Sequence, residues 1–231
     1  AVRDWPSDGI SLQAGSGCRV EECEVTGCLG NGLHPGTGLG DSVFQGNRLS
    51  DNGVGLDFCW HNERHVIRQN QILRNRGGGI TGLGNPGDRE NVIEDNRVAE
   101  NGGPGIAING GRSSGNIIRN NTIENNSQEQ PGKHPGIAVY AAVEDARQYT
   151  IEGNIIRDTQ AEPTQHIGVE ERHGTYRDKP TRADENIIVG NTFAGHREAD
   201  IVIAGSGTRC ENNSEAVIRR SQSSRQVEET E

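Results

Sequence analysis

The stretch VIRQNQILRNRGGGITGL, residues 66–83, contains two short patterns that recur along the chain. One is apolar-x-x-Asn-x-apolar, seen here as IRQNQI at 67–72. The other is Gly followed by a branched apolar residue, seen here as Gly79-Ile80. The spacing of the Gly pattern is 23 residues from Gly9 to Gly32 and 26 from Gly79 to Gly105. A period in this range indicates stacked structural repeats.

Each pattern occurs in nearly every repeat. The Gly pattern lies at Gly9-Ile10, Gly32-Leu33, Gly55-Leu56, Gly79-Ile80, Gly105-Ile106, Gly136-Ile137 and Gly168-Val169, with a degenerate copy at Asp200-Ile201. The Asn of the other pattern lies at Asn47, Asn70, Asn96, Asn121, Asn154, Asn191 and Asn213, and Cys23 takes its place in the first repeat. The repeat therefore predicts about eight similar units.

Within a unit, short apolar alternations of period 2 are separated by Gly, Asn and Asp, which is typical of short strands joined by tight turns. Only 30% of the residues are hydrophobic and 33 are Gly, which favours many thin layers over one thick core. We therefore predict coils of three short strands that stack as parallel sheets, with Ile and Val inside. The Asn residues are expected to adopt left-handed turns and to form one ladder of stacked amides.

From residue 9 to about 214, these patterns resemble the right-handed parallel β-helix of pectate lyases, alginate lyases, mannuronan C5-epimerases and tailspikes. The resemblance implies an all-β fold. We expect a β-helix over residues 1–214, with its N-terminal cap missing because nothing precedes the first coil, and a polar tail over 215–231. The resemblance also implies an extracellular or periplasmic location.

Strand alternation predicts which residues face outwards. The residue after each Gly-Ile pair should form one exposed column: Ser11, His34, Asp57, Thr81, Ala107, Ala138, Glu170 and Val202. A second column should lie two residues further on: Gln13, Gly36, Cys59, Leu83, Asn109, Tyr140, Arg172 and Ala204. Since neighbouring coils are about 4.8 Å apart, His34 and Asp57 are expected to interact.

The segment FCWHNERH, residues 58–65, follows Asp57 and makes this the richest cluster of functional groups in the chain. Removal of the C5 proton of a uronate needs a base, an acid and a cation that neutralises the carboxylate. We predict that His34 is the base or acid, that Asp57 orients it, and that His61 is a second proton carrier. Arg64 would neutralise the uronate, and Trp60 would stack on a sugar ring.

The segment GLHPGTG, residues 32–38, loosely resembles the DPH catalytic segment of mannuronan C5-epimerases, which is followed by an Asp one coil later. The resemblance implies comparable places for His34 and Asp57. The chain departs from that motif at three positions, with His34 in place of its Asp, Gly36 in place of its His, and Asn31 in place of its Tyr. Segments of the GLHPG type also resemble those of bacterial β-helix repeat proteins of undefined activity.

A second candidate region lies in the later coils, where the turns beside the Gly-Ile strands become long. These turns are expected to wall a groove, because sites often lie on loops of a rigid scaffold. Its lining residues are predicted to bind substrate: Asn109, Tyr140, Glu170, Arg172 and His173. The alternative is that these long turns have no role in binding a substrate.

Charge and composition limit the partners. The net charge of −10 argues against nucleic acid. It also disfavours a polyanion, unless Arg64, Arg68, Arg74 and Arg76 offset it locally. We expect no membrane span, no metal and no cofactor, because no run of 18 apolar residues and no cluster of several Asp is seen; calcium is possible but unsupported. The oligomeric state stays open.

Three functions remain. The first is a lyase or C5-epimerase acting on an acidic polysaccharide, and the His34–Asp57 pair favours it. A hydrolase needs two carboxylates at a defined separation, and Asp57 with Glu63 is less compelling. The second is a non-catalytic glycan-binding or adhesive protein that uses the same groove. The third is a structural region of a larger protein.

Overall fold

The computed structural model describes residues 1–111 and 115–221 and shows a right-handed parallel β-helix, as predicted. Each coil contributes one strand to each of three long parallel sheets. In the described part of the chain, no helix is long and apolar enough to cross a membrane.

The three sheets are named here by their place in the coil. The Gly-Ile sheet contains Ile10–Leu12, Asn31–Pro35, Val54–Asp57, Ile80–Leu83, Ile106–Ile108, Ile137–Tyr140, Ile167–Arg172, Ala199–Ile203 and Ile218–Arg220. The second sheet contains Arg19–Glu21, Val43–Gln45, Val66–Arg68, Val92–Glu94, Ile117–Arg119, Thr150–Glu152, Ile187–Val189 and Arg209–Glu211. The third sheet contains Val2–Arg3, Glu24–Thr26, Arg48–Ser50, Gln71–Leu73, Arg97–Ala99, Thr122–Glu124, Ile155–Arg157 and Thr192–Ala194.

Three small strand pairs lie outside these sheets. Gly15–Ser16 pairs with Leu39–Gly40 and Ala146–Arg147 pairs with Ala183–Asp184, both in parallel. Gly174–Tyr176 pairs with Lys179–Thr181 as an antiparallel hairpin in the long turn after the seventh Gly-Ile strand.

The core is a set of apolar columns. In the second sheet, Phe44, Ile67 and Ile93 stand in register in successive coils, and each is fully buried. Successive coils thus place β-branched or aromatic side chains against their equivalents above and below. This packing explains how a chain with few large apolar residues still builds a continuous core.

The left-handed backbone at the corners falls one residue earlier than predicted. Gln69, Asp95 and Asn120 have φ of 56°, 54° and 55°, and each precedes a ladder residue. The ladder residues Asn70 and Asn96 are not left-handed themselves. The ladder Asn is therefore selected for its amide, while the preceding residue makes the turn.

The amides form ladders at all three corners of the coil, so the prediction of a ladder at one turn was incomplete. The predicted ladder lies between the second and third sheets. Another, between the third and Gly-Ile sheets, contains Cys28, Asn52, Asn75, Asn101, Asn126, Gln165 and His196. The last, between the Gly-Ile and second sheets, contains Cys18, Ser42, His65, Asn91 and Asn116, and in later coils Tyr149, Asn186 and Thr208.

The cysteines of the first coil begin the ladders. The backbone N–H groups of Cys18, Cys23 and Cys28 donate to Ser42, Asn47 and Asn52, respectively. All five cysteines of the chain are free. Cys28 is buried, whereas Cys18 and Cys23 are partly exposed.

The predicted end of the β-helix at residue 214 is too early. Ile218–Arg220 pairs in parallel with Ala199–Ile203, so the Gly-Ile sheet extends into the expected tail. At the other end, Val2–Arg3 pairs with Glu24–Thr26 and begins the third sheet. Residues 222–231 of the predicted tail lie outside the described residues.

Candidate functional site

His34 lies on the outer face of the Gly-Ile sheet, with its side chain 20% exposed. Its Nδ1 is 2.9 Å from Oδ2 of Asp8, a residue of the preceding coil. The other carboxylate oxygen of Asp8 accepts a hydrogen bond from the N–H of Asn31 at 2.8 Å. This second bond fixes the carboxylate, which in turn orients the imidazole ring. Nε2 of His34 has no hydrogen-bond partner among the described residues.

Asp57 stands in the next coil, in the position expected from the repeat. Leu33 pairs with Leu56, which places His34 and Asp57 at equivalent points of adjacent strands. However, the residue that bonds to the imidazole is Asp8, so the predicted orienting role of Asp57 falls to Asp8. Asp57 instead accepts a hydrogen bond from the hydroxyl of Thr81, its neighbour in the following coil.

The surroundings of Asp57 favour its neutral form. Burial raises the pKa of the Asp57 carboxyl above its ordinary value. The Thr81 hydroxyl and His34 oppose this rise in the pKa, while the charge of Asp8 adds to it. The site thus places an imidazole paired with one carboxylate beside a second carboxyl that retains its proton more readily, and that combination suits proton transfer.

The side-chain amide of Gln13 lies beside the group formed by Asp8, His34 and Asp57. Gln13 is exposed, and its Nε2 donates to the hydroxyl of Ser11, which is in register with His34. A Cβ on Gly36 would lie 2.1 Å from Nε2 of Gln13. The missing side chain of Gly36 leaves room for the Gln13 amide in this position, and a larger residue there would displace the flexible Gln13 side chain.

The remaining residues of the 58–65 segment lie at the corner between the Gly-Ile and second sheets. His61 lines a surface cavity of about 360 Å³ together with Glu63 and Arg89. Arg64 donates to both oxygens of Asp41, at 2.6 and 2.8 Å, and also pairs with Glu63. The guanidinium predicted to neutralise a uronate thus already has two carboxylate partners.

Two aromatic groups of this segment differ in environment. Trp60 is 50% exposed on the turn, and its predicted stacking on a sugar ring stays a prediction. His65 is fully buried in a corner ladder, where Nδ1 accepts from the N–H of Ser42 and Nε2 bonds Asn62. Burial lowers the pKa of His65 to about 4, so this histidine is neutral and structural.

A second polar group lies further along the same face. Oε2 of Glu170 accepts from the hydroxyl of Tyr140 at 2.9 Å, and Oε1 accepts from Nε of Arg172 at 2.8 Å. The Arg172 guanidinium also lies 4.7 Å from the centre of the Tyr140 ring. Burial, followed by the charge of Glu170, raises the pKa of the Tyr140 hydroxyl.

The structure places three of the predicted substrate-binding residues of the later coils in one column. Ile108 pairs with Val139 and Tyr140 pairs with Arg172, which stacks Asn109, Tyr140 and Arg172 in consecutive coils. Burial lowers the pKa of His134, from the adjoining long turn, and Lys133 and Arg172 add to this effect. His173 instead accepts the N–H of Ala183.

One position in the second column was predicted wrongly. Leu83 is completely buried and pairs with Ile108, because the register shifts between Ile80 and Leu83. Gly82 lies within this shift with φ of 75°, and a Cβ there would lie 2.2 Å from the carbonyl oxygen of Phe58. The irregularity turns Leu83 into the core.

No group of three or more His, Cys, Asp or Glu in the described residues is arranged to hold a metal ion. The Asp8–His34 pair and the Asp57 carboxyl do not converge as a ligand set. The expectation of no metal stays a prediction.

The chain belongs to the right-handed β-helix family, since the model described as "Right handed beta helix region" matches residues 1–156. Among solved structures, the A-module of mannuronan C-5 epimerase AlgE4 from Azotobacter vinelandii is similar, with a TM-score of 0.65 and 16% identity. That match covers 90% of this chain and 56% of the epimerase module.

Two further structures share the fold. Alginate lyase from Paenibacillus sp. str. FPU-7 has a TM-score of 0.50 and 16% identity over 93% of this chain and 80% of the lyase. The Agl-KA catalytic domain has a TM-score of 0.53 and 14% identity over 94% of this chain and 48% of that domain. No curated protein matches the chain in sequence. These neighbours share the right-handed β-helix fold with this chain.

Proposed function

We propose that this protein is a polysaccharide lyase that cleaves an acidic polymer on the outer face of the Gly-Ile sheet. The observation that carries the proposal is the Asp8–His34 pair, with Nε2 of His34 free and Asp57 one coil away. The names of the similar structures, a mannuronan epimerase and an alginate lyase, support a uronate polymer as the substrate class. As part of the proposal, the protein acts outside the cytoplasm.

In the proposed reaction, Nε2 of His34 takes the C5 proton of a uronate. The electrons of the C5–H bond form a C4–C5 double bond, and the bond from C4 to the glycosidic oxygen breaks. Asp57 gives its proton to that leaving oxygen. Asp8 stabilises the resulting imidazolium, in the way a carboxylate supports a catalytic histidine.

The geometry favours elimination over epimerisation. His34 and Asp57 project from one sheet surface, so both meet the same side of a sugar that lies across the coils. Return of a proton from that side restores the original configuration at C5. An elimination can use both groups from one side, whereas an epimerisation needs a donor on the opposite side of the ring.

The test is an activity screen on alginate, pectate, glycosaminoglycans and neutral glycans. Ultraviolet absorbance reports the unsaturated product, and loss of the C5 proton signal in heavy water reports exchange. We expect absorbance with an acidic polymer and none with neutral glycans, with loss of activity in His34→Ala. Proton exchange without absorbance would indicate an epimerase instead. Saturable binding without either signal would favour a glycan-binding protein.

A further inference from the structure

We infer that Arg76 is the residue that binds the carboxylate of the acidic sugar held beside His34. This inference rests on the proposed function, because it names the group that recognises the substrate charge. The sequence assigned that task to Arg64, whose guanidinium is held by Asp41 and Glu63 at another corner of the coil.

Arg76 lies at the corner that leads into the Gly-Ile sheet, directly after the ladder residue Asn75. Its Nη2 donates to the carbonyl oxygens of Cys28 at 3.2 Å and Leu29 at 3.1 Å. These carbonyls belong to a coil two repeats earlier in the chain. The side chain therefore runs along the corner towards the N-terminal coils, where the His34 site lies.

Glycine in the intervening coil leaves that path open. Gly53 lies between the two coils, and its N–H donates to the carbonyl of Cys28. A Cβ on Gly53 would lie 2.4 Å from the carbonyl oxygen of Leu29, the same atom that holds Arg76. The bare corner thus allows close stacking of the coils and exposes the carbonyls on which the guanidinium rests.

The anchor of Arg76 is next to the Asp8–His34 pair. Leu29 is followed by Gly30, where a Cβ would lie 2.4 Å from Oδ1 of Asp8. The other oxygen of the same carboxylate bonds to His34. The cation therefore lies at the rim of the site, on the side where the chain enters the Gly-Ile strand.

Arg76 also has N–H groups that its contacts with the backbone carbonyls do not use. It is exposed and forms no ion pair with any carboxylate of the described residues, unlike Arg74, which is bound to both oxygens of Asp51. Two backbone carbonyls occupy Nη2, which fixes the guanidinium and leaves Nε and Nη1 for a ligand. An arginine held in place by backbone carbonyls is suited to bind a carboxylate with little loss of side-chain entropy.

The experiment compares Arg76→Gln with the matched control Arg74→Gln. Calorimetry measures the binding of mannuronate and galacturonate oligomers, and of the same oligomers with their carboxyl groups reduced to alcohols. The measurement is made in the His34→Ala background so that no turnover occurs. Thermal unfolding checks that each variant is folded.

We expect Arg76→Gln to weaken the binding of the acidic oligomers by roughly 10-fold or more, as expected for loss of a hydrogen bond between charged groups. Arg74→Gln should leave that affinity unchanged, and neither variant should alter the binding of the reduced oligomers. In the enzyme with His34 intact, the KM should rise more than kcat falls.

The two proposals fail in different ways. Normal turnover and affinity in Arg76→Gln would overturn the role of Arg76 and leave the lyase proposal standing. Loss of affinity in Arg76→Gln, together with no turnover by the wild-type protein on any acidic polymer, would support the role of Arg76 and overturn the lyase. No binding of any acidic oligomer by the wild-type protein would overturn both.

Discussion

Nδ1 of His34 lies 2.9 Å from Oδ2 of Asp8, and this contact joins two coils on the exposed face of the Gly-Ile sheet. A carboxylate at Nδ1 fixes the tautomer in which Nδ1 carries the proton and Nε2 has the free lone pair. The same carboxylate stabilises the imidazolium once Nε2 accepts a proton. The contact therefore provides both the orientation and the charge balance that a general base needs.

Asp8→Asn should abolish most of the activity while leaving the fold intact. The amide is the same size as the carboxylate but cannot stabilise the imidazolium, so kcat should fall by ~100-fold or more. Nitrogen NMR of the His34 ring should show that the Nδ1–H tautomer is lost. The control is Asp51→Asn, which changes an exposed carboxylate that pairs with Arg74 and not with His34. Equal activity in both variants would remove Asp8 from the mechanism.

Thr81→Val should shift the pH profile towards alkaline pH. The Thr81 hydroxyl stabilises the charged form of Asp57, so its removal raises the pKa of a carboxyl that burial already raises. If Asp57 acts as the acid, its protonated form then persists to a higher pH, and the alkaline limb of kcat should move upwards. Rates measured across pH on one polymer check this. A downward shift, or none, would argue against Asp57 as the proton donor.

Much of this architecture follows from the sequence, because the repeat determines which residues share a column. The seven Asn residues of the predicted ladder and the alignment of His34 with Asp57 could both be found from spacing. The ladder at Asn52, Asn75, Asn101 and Asn126 was missed, although each of these residues lies five positions after an Asn of the predicted ladder.

Asp8 and Arg76 were harder to predict, for a physical reason. Column arguments compare equivalent positions. The equivalent of Asp8 in the next coil is Asn31, but the Asp8 carboxylate also reaches His34, three positions further on. Arg76 makes its contacts two coils away, over Gly53. Such contacts depend on side-chain length and on local gaps in the surface, which periodicity does not encode. The irregularity at Gly82, which buries Leu83, has the same character.

Asn96→Ala should destabilise the β-helix strongly. The Asn96 amide donates to Ile67 and Asn121 and accepts from Asn70, all in buried positions. Each buried group left without a partner costs about 1–3 kcal/mol, so the total loss should exceed about 2 kcal/mol. Urea unfolding gives the free energy. Gln71→Ala, an exposed change in the third-sheet strand of the preceding coil, is the control and should stay within about 0.5 kcal/mol of wild type.

His65→Asn should make the protein less sensitive to acid. Burial lowers the pKa of His65 to about 4, from an ordinary value of 6.5, so the unfolded chain binds this proton first as the pH falls. Stability from neutral His65 is therefore lost between about pH 6.5 and pH 4, by up to about 3 kcal/mol.

The Asn variant keeps a ladder side chain but removes the titrating group, so its free energy of unfolding should fall less over that interval. The absolute stability can drop, because Phe44 and Phe58 lose an aromatic neighbour. The slope of the free energy against pH is therefore the measurement, from urea unfolding at a series of pH values. Identical slopes for both proteins would mean that another group governs the acid transition.

Arg172→Gln should weaken the binding of long substrates and leave the binding of short ones unchanged. Asp57 and Glu170 occupy the same column four coils apart, which is about 19 Å along the face at the usual strand spacing. Only Ala107 and Ala138 stand between Thr81 and Glu170 in that column, so the side chains on this part of the sheet face are small.

A polymer that fills this face reaches Arg172 only when it spans several sugars. The KM for hexamers should therefore rise severalfold, while that for dimers stays constant. Steady-state kinetics on size-fractionated oligomers decide the matter, with Arg157→Gln on the third sheet as the control. A uniform effect at every length would place Arg172 beside the reacting sugar, and no effect at any length would show that the polymer does not follow this face.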